Sequence, residues 1–248
     1  MRFGPHRLTI NVNPARSPVL VEEFIRPVEL PLETTCDAPD PRWVPFLNYW
    51  RLKSEQWHWD ATGGRSGGCL RHDASLGVPD PERGAHDAAI ILRGGEHWTD
   101  YAFEADAFAG GGCFGLWARA DMQDEGAGNG RWVQGYCFLL DPGRGRCRLW
   151  RARKDGYEAA KASGNSPKPE RNDFSNPVLL MEGTLPEGVA HGRWMRLGLE
   201  VRGPEIRCRV DGKEVLAARD HLFPSGSVGF MTYKGRDIRF DNVRVRAF

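Results

Sequence analysis

Apolar residues recur in this sequence with a period close to two, in short runs that end at glycine, proline, aspartate or asparagine. This alternation is typical of β-strands, in which successive side chains point to opposite faces. Stretches with helical periodicity are almost absent. The pattern therefore predicts an all-β protein in which short antiparallel strands form two packed sheets. The predicted strands are Val19–Phe24, Gln56–Asp60, Gly68–His72, Asp87–Arg93, Tyr101–Phe108, Cys113–Ala120, Trp132–Leu140, Arg146–Arg153, Val178–Glu182, Arg193–Arg202, Glu205–Val210, Lys213–Ala217, Ser227–Tyr233 and Asp237–Arg246.

Two turn signals set the register of neighbouring strands. Asp211-Gly212 separates two alternating segments, and this pair suits a two-residue hairpin turn that requires positive φ angles. Asp141–Gly145 predicts a longer turn of the same kind, because proline presets φ and glycine accepts the left-handed region. Cys137 and Cys147 flank that second turn and are the one pair of the six cysteines that we consider for a disulfide.

The charge balance excludes several classes of partner. Lysine and arginine total 34 against 33 aspartate and glutamate residues, so no net field draws the chain to nucleic acid or to a membrane surface.

No run of about 18 apolar residues predicts a spanning helix, and no secretory signal is visible at the start. The expected location is the cytoplasm, or outside the cell if a leader has been removed.

The chain reads as one domain with two irregular parts. Residues 1–17 predict an extended N-terminal arm, and residues 18–248 predict a single sandwich domain. Residues 154–177 lack periodicity and carry several prolines, which predicts a long surface loop. Loops of this length are often functional. The aromatic residues Tyr157 and Phe174 in it indicate a loop that forms a wall or lid of a binding surface.

A set of strand motifs resembles a known superfamily. The motifs are Trp57–Asp60, Asp100–Asp106, Phe114–Ala120, Gly135–Leu140, Gly192–Leu197, Glu200–Gly203, Ser225–Phe230 and Phe240–Val245. From about Val21 to the C-terminus the chain is similar to the concanavalin-A-like lectin/glucanase superfamily. The resemblance implies a two-sheet antiparallel jelly-roll sandwich, and it implies a saccharide as the partner.

Two carboxylates are the first candidates for chemistry. The family 16 glucanases of this superfamily carry a Glu-x-Asp strand with a third acid beyond it, and Glu104-Ala105-Asp106 matches the first two members. Depending on the spacing of the family pattern, the third acid would fall at Phe108 or at Ala109, so it is missing from this sequence. Glu104 and Asp106 are therefore predicted as the catalytic pair, in acid/base or nucleophilic roles. The alternative is a pair of acids on a solvated strand face.

A second relative within the superfamily is the 3-keto-disaccharide hydrolase-like group. Its Gly-Tyr-Glu-x-Gln-x-x-Asp segment is matched only in part by Gly135–Asp141, in which Cys137 and Leu139 replace the two polar members and the aspartate comes one position early.

Alternation also predicts a substrate-binding surface. If Phe103 faces the core, Glu104 and Asp106 share the opposite face with residues of the next strands. Aromatic rings stack on sugar faces, while arginine hydrogen-bonds hydroxyl groups. The alternative is that a second sheet or a loop covers the aromatic residues. The predicted substrate-binding residues are Trp117, Arg119, Tyr136, Arg148 and Trp150.

The resemblance also implies a structural calcium ion. In the superfamily a C-terminal aspartate binds calcium together with carbonyl groups near the first strand. By that resemblance Asp241 is the side-chain ligand and Glu23 contributes its carbonyl, with an ordinary strand-end aspartate as the alternative. The histidines show no transition-metal spacing, and no motif for an organic cofactor occurs.

Three functions remain open at this point. The first is a carbohydrate-active enzyme, a glycoside hydrolase or polysaccharide lyase, working in a concave groove. The second is a lectin-like module that binds glycan without turnover, which the missing third carboxylate favours. The third is a structural or interaction sandwich with a filled groove.

Overall fold

The computed structural model describes residues 26–45, 57–73, 87–124, 131–152 and 178–248. Within these ranges the chain forms antiparallel strands and one short 3-10 turn, Pro142–Arg144, and no helix there is long and apolar enough to cross a membrane. The strands are β1 (Leu32–Thr34), β2 (Trp43–Pro45), β3 (Trp57–Asp60), β4 (Cys69–His72), β5 (Asp87–Leu92), β6 (Tyr101–Asp124), β7 (Arg131–Asp141), β8 (Arg146–Ala152), β9 (Val178–Thr184), β10 (Trp194–Arg202), β11 (Glu205–Val210), β12 (Lys213–Arg219) and β13 (Ser227–Ala247).

The strands form one continuous sheet that folds over into two layers. The first layer has the order β12-β11-β10-β6-β13-β4-β3, with β1 also paired to β13. It uses the N-terminal half of β6 and the C-terminal half of β13. The second layer has the order β9-β8-β7-β6-β13-β5-β2 and uses the other halves of the same two strands.

Both long strands bend where they pass between the layers. In β6 the bend lies at Gly110–Gly112, and in β13 the register shifts between Tyr233 and Arg236. Gly112 has a φ of +78°, and a Cβ atom there would lie 2.2 Å from the carbonyl oxygen of Lys234. Only glycine fits this position without strain.

The core lies between the inner faces of the two layers. Phe240 comes from the first layer and Phe230 from the second, and their rings stack with centroids 4.0 Å apart. Phe103 approaches Phe230 at 5.7 Å. All three side chains are fully buried, and burial of this much aromatic surface is the main stabilising contribution to such a sandwich.

Both predicted turns are present. Asp211 and Gly212 have φ angles of +49° and +79°, as a two-residue hairpin turn requires. At the other turn Gly145 has a φ of +62°. The disulfide considered there is wrong: Cys137 lies on the outer face of its layer and Cys147 on the inner face, so the two side chains do not form a disulfide.

Three predictions fall outside the described residues. They are the extended arm at 1–17, the strand Val19–Phe24 and the long loop at 154–177.

Candidate functional site

The two predicted catalytic carboxylates lie side by side on the outer face of the first layer. Phe103 and Ala105 are fully buried in the core. Glu104 and Asp106 alternate with them along β6 and therefore point outward. The sequence predicted this arrangement from alternation alone. The Glu104 side chain is 41% exposed, whereas Asp106 is only 6% exposed.

Arg196 on the neighbouring strand β10 joins the two carboxylates. Its Nη2 donates to Glu104 Oε2 at 3.2 Å and its Nη1 donates to Asp106 Oδ1 at 3.4 Å. Nη1 also donates to the backbone carbonyl of Asn242 at 2.6 Å. One guanidinium group therefore fixes the spacing of both acids, since its donors form a rigid planar fork.

Donors surround both oxygens of Asp106. Asn242 Nδ2 donates to Oδ2 at 2.9 Å, and Arg65 Nη1 lies 3.3 Å from Oδ1. Asp106 is thereby held as an acceptor of fixed orientation. Glu104 keeps more of its surface open and is the carboxylate that a bound molecule can reach.

Asp241 anchors a loop beneath this site. The residue is fully buried, and its Oδ2 accepts from Arg65 N at 2.8 Å, Ser66 N at 2.9 Å and Ser66 Oγ at 3.0 Å. Its Oδ1 accepts from Asn242 N at 2.6 Å. These bonds position Arg65 and Asn242 against Asp106.

Hydrogen-bond donors surround the carboxylate for which the resemblance implies a calcium ion. The Asp241 carboxylate faces N–H and O–H donors, and no group of three or more metal-binding side chains occurs in the described ranges. Glu23 lies outside those ranges. A calcium role for Asp241 stays a prediction.

An aromatic shelf lies beside the carboxylates on the same face. Trp194 of β10 pairs in register with Phe108 of β6, and their ring centroids are 5.7 Å apart. The Arg239 guanidinium lies 5.0 Å from the Phe108 ring centroid. Met195 is buried, whereas Trp194 is only half-buried on the outer face, and the sequence predictions did not include Trp194 among the binding residues. Strict alternation along β10 would have found it.

The carboxylates, Arg196 and Asn242 border an open cleft of about 670 Å³. Four strands contribute to its wall: β1, β6, β10 and β13. The lining residues are Glu33, Thr34, Thr35, Glu104, Asp106, Arg196, Asn242, Val243 and Arg244.

Three of the predicted substrate-binding residues lie on the outer face of the second layer instead. Trp117 is fully buried there among Ile91 and Met231. Arg148 pairs with Glu182 at 2.5 Å and lies 6.0 Å from the ring centroid of Trp150. The structure does not bring these residues together with Glu104, because β6 bends between the layers and the two outer faces point away from each other.

Arg119 and Tyr136 lie inside the sandwich and hold a loop. Arg119 is 2% exposed and donates to Thr99 O at 2.9 Å and Phe223 O at 2.9 Å. The Tyr136 hydroxyl donates to Asp220 Oδ1 at 2.7 Å, and burial raises its pKa to about 12. The single saccharide surface predicted from sequence is thus divided among three places.

Comparison with known proteins identifies the fold. No protein-family model matches the chain, and no curated protein matches it either. Among solved structures it is similar to carbohydrate-binding module CBM66 from Bacillus subtilis, with a TM-score of 0.52 and 17% identity over 83% of this chain and 96% of that one. It is also similar to LamAcat from Zobellia galactanivorans, with a TM-score of 0.50 and 12% identity over 87% of this chain and 94% of that one.

The chain has an antiparallel jelly-roll sandwich fold. A third similar structure, from Parabacteroides distasonis, is described as a candidate glycosyl hydrolase, with a TM-score of 0.50 and 9% identity over 84% of this chain and 88% of that one. Identities this low establish the jelly-roll fold alone. The all-β, two-sheet prediction from the sequence is confirmed.

Proposed function

We propose that the protein binds a saccharide in the polar cleft on the outer face of the first layer. The observation that carries the proposal is Arg196, which joins Glu104 and Asp106 at an open cleft beside the Phe108–Trp194 shelf. The exposed carboxylate, the guanidinium and the aromatic pair lie on one face of adjacent strands.

This mixture of groups suits a sugar. Each hydroxyl of a sugar can donate one hydrogen bond and accept two, so charged donors and acceptors in fixed positions discriminate among its orientations. The apolar side of a pyranose ring packs on aromatic rings such as that of Trp194. Solved structures of the same fold include one named as a carbohydrate-binding module, which supports a carbohydrate ligand here.

Hydrolysis of the bound saccharide is a second candidate, and the exposure of Glu104 favours it. Carboxylates at alternate positions of a strand lie roughly 6.5–7 Å apart, at the lower end of the separations found in inverting glycosidases. In such a reaction Glu104 would donate a proton to the leaving oxygen, while a water molecule would attack the anomeric carbon and give its proton to Asp106.

A glutamate substitution tests the binding site. We expect Glu104→Gln to weaken saccharide binding about tenfold or more, because a charge-assisted hydrogen bond is lost. Calorimetry with a panel of gluco-, xylo-, manno- and galacto-oligosaccharides measures the effect. Reducing-end release from the same panel measures turnover, which Glu104→Gln should abolish if the enzyme candidate is right.

Glu214→Gln is the matched control. Glu214 lies on β12 of the same layer, its side chain is 43% exposed and it too pairs with one arginine, at 3.5 Å. Its loss should leave binding unchanged. A folded protein that binds no saccharide of the panel, or equal weakening by both substitutions, would contradict the proposal.

A further inference from the structure

A glycine interrupts the outer face of the first layer next to the proposed saccharide site. Gly198 of β10 pairs in register with Glu104 of β6 on one side and with Arg209 of β11 on the other. An added Cβ would meet only the Arg209 Cβ, at 3.4 Å, so the space above the glycine is open.

The backbone does not require glycine at this position. Gly198 does not have a positive φ angle, and it lies within a regular strand. Other residues could therefore adopt its backbone conformation. Glycine in a strand interior weakens the strand, and it often marks a place where a ligand approaches closely. Here it leaves a gap one residue wide between Glu104 and Arg209.

The charges around this surface are balanced. Among the described residues the arginines that border the cleft and the gap each have a carboxylate partner: Arg244 pairs with Glu33 at 2.7 Å, and Arg209 pairs with Glu200 at 3.2 Å. Arg65 and Arg196 contact Asp106, as described above. An anionic sugar would have to displace one of these carboxylates, whereas hydroxyl groups can bond to the oxygens and N–H groups that the pairs leave open.

We infer that the ligand is a neutral oligosaccharide that lies across the strands, from the Asn242–Arg244 side of β13 over Glu104 to a second subsite above Gly198. This inference rests on the proposed saccharide binding. Two strand spacings separate β13 from Gly198 on β10, and a third reaches Arg209 on β11, which gives a path of about 10 to 14 Å. That length accommodates several sugar rings, so affinity should rise with chain length.

Filling the gap tests the inference. Gly198→Leu should reduce affinity for neutral tri- to hexasaccharides at least tenfold, with little effect on disaccharides held at Glu104 and Arg196. Its melting temperature should equal or exceed that of the unchanged protein, because leucine suits a strand better than glycine does. Weaker binding together with undiminished stability separates a ligand role from a folding role.

Ala217→Leu provides the control, since this exposed residue of β12 lies at the far edge of the same layer. It should leave affinity unchanged.

The inference that the ligand is uncharged is tested with oligogalacturonates, which should bind more weakly than neutral oligosaccharides of equal length.

The outcomes separate the two proposals. If neutral oligosaccharides bind but Gly198→Leu leaves their affinity unchanged, the second subsite is wrong and saccharide binding stands. If oligogalacturonates bind more tightly, the neutral ligand is wrong. If the unchanged protein binds no oligosaccharide, the proposed function itself fails.

Discussion

At the scale of single residues, a largely buried carboxylate, Asp220, holds a loop in place. It accepts from the Tyr136 hydroxyl at 2.7 Å, from Arg151 at 2.6 Å and from Leu222 N at 2.9 Å. Burial opposes its ionisation, but these hydrogen bonds outweigh burial and lower the pKa of Asp220 below its usual value. Tyr136 and Arg151 come from adjacent strands, so one carboxylate links the second layer to the loop that follows β12.

The lowered pKa of Asp220 predicts a pH dependence of stability. A depressed folded-state pKa contributes stability that is present above the unfolded value of about 3.9 and is lost as the pH falls through the folded value. Asp220→Asn should therefore lower the melting temperature at neutral pH and flatten its decline below pH of about 4. Thermal unfolding between about pH 2 and 7 measures both; parallel curves for the two proteins would contradict this assignment.

At the scale of elements, the sequence predicted strands well where alternation is long and regular. Glu205–Val210 was predicted with its observed bounds, and both ends of β7 and the start of β10 differ by one residue. The strands β1 and β2 were missed because three residues are too few to show a period. Each of β6 and β13 was predicted as two strands with a break between them, but both strands continue through the break, since strand pairing is present on both sides of the bend.

The same reasoning explains how much of the site could be predicted. Alternation placed Glu104 and Asp106 outward from local sequence alone. Their partners could not be found in this way, because Arg196 is 92 positions from Glu104 and Asn242 is 136 positions from Asp106. Only the order of strands in the layer brings them together, and local periodicity does not encode that order.

The bend in β6 predicts a difference between neighbouring glycines. Gly112→Ala should destabilise the protein by about 1–3 kcal/mol or more, because alanine is strained at a φ of +78° and its Cβ would meet the Lys234 carbonyl. Gly111→Ala is the control: its Cβ would lie 3.8 Å from the nearest atom, and the change should be within about 0.5 kcal/mol. Urea unfolding measures both, and equal effects would show that the bend does not depend on Gly112.

At the scale of the whole molecule, the two layers share their central strands. The halves of β13 face each other through Phe230 and Phe240, and β6 connects the same two layers beside them. Loss of packing in one layer therefore removes support from the other. We expect both layers to unfold in one cooperative transition.

A core substitution tests this coupling. Phe240→Ala should cost about 3–5 kcal/mol, since it removes a fully buried ring. Hydrogen exchange should show reduced protection in both layers, including β7 and β8, which Phe240 does not pair with. Phe248→Ala, at a residue that is 57% exposed, should stay within about 1 kcal/mol. Loss of protection confined to the first layer would contradict shared unfolding.

Continuity of β6 and β13 also constrains how such a protein can be re-engineered. The proposed saccharide site on the first layer cannot be separated as a module of its own, because its central strands continue into the second layer. Peripheral strands such as β11 and β12 can be exchanged or redesigned while those two strands are kept. New specificities are therefore best sought by varying the edges of each layer around a fixed central pair.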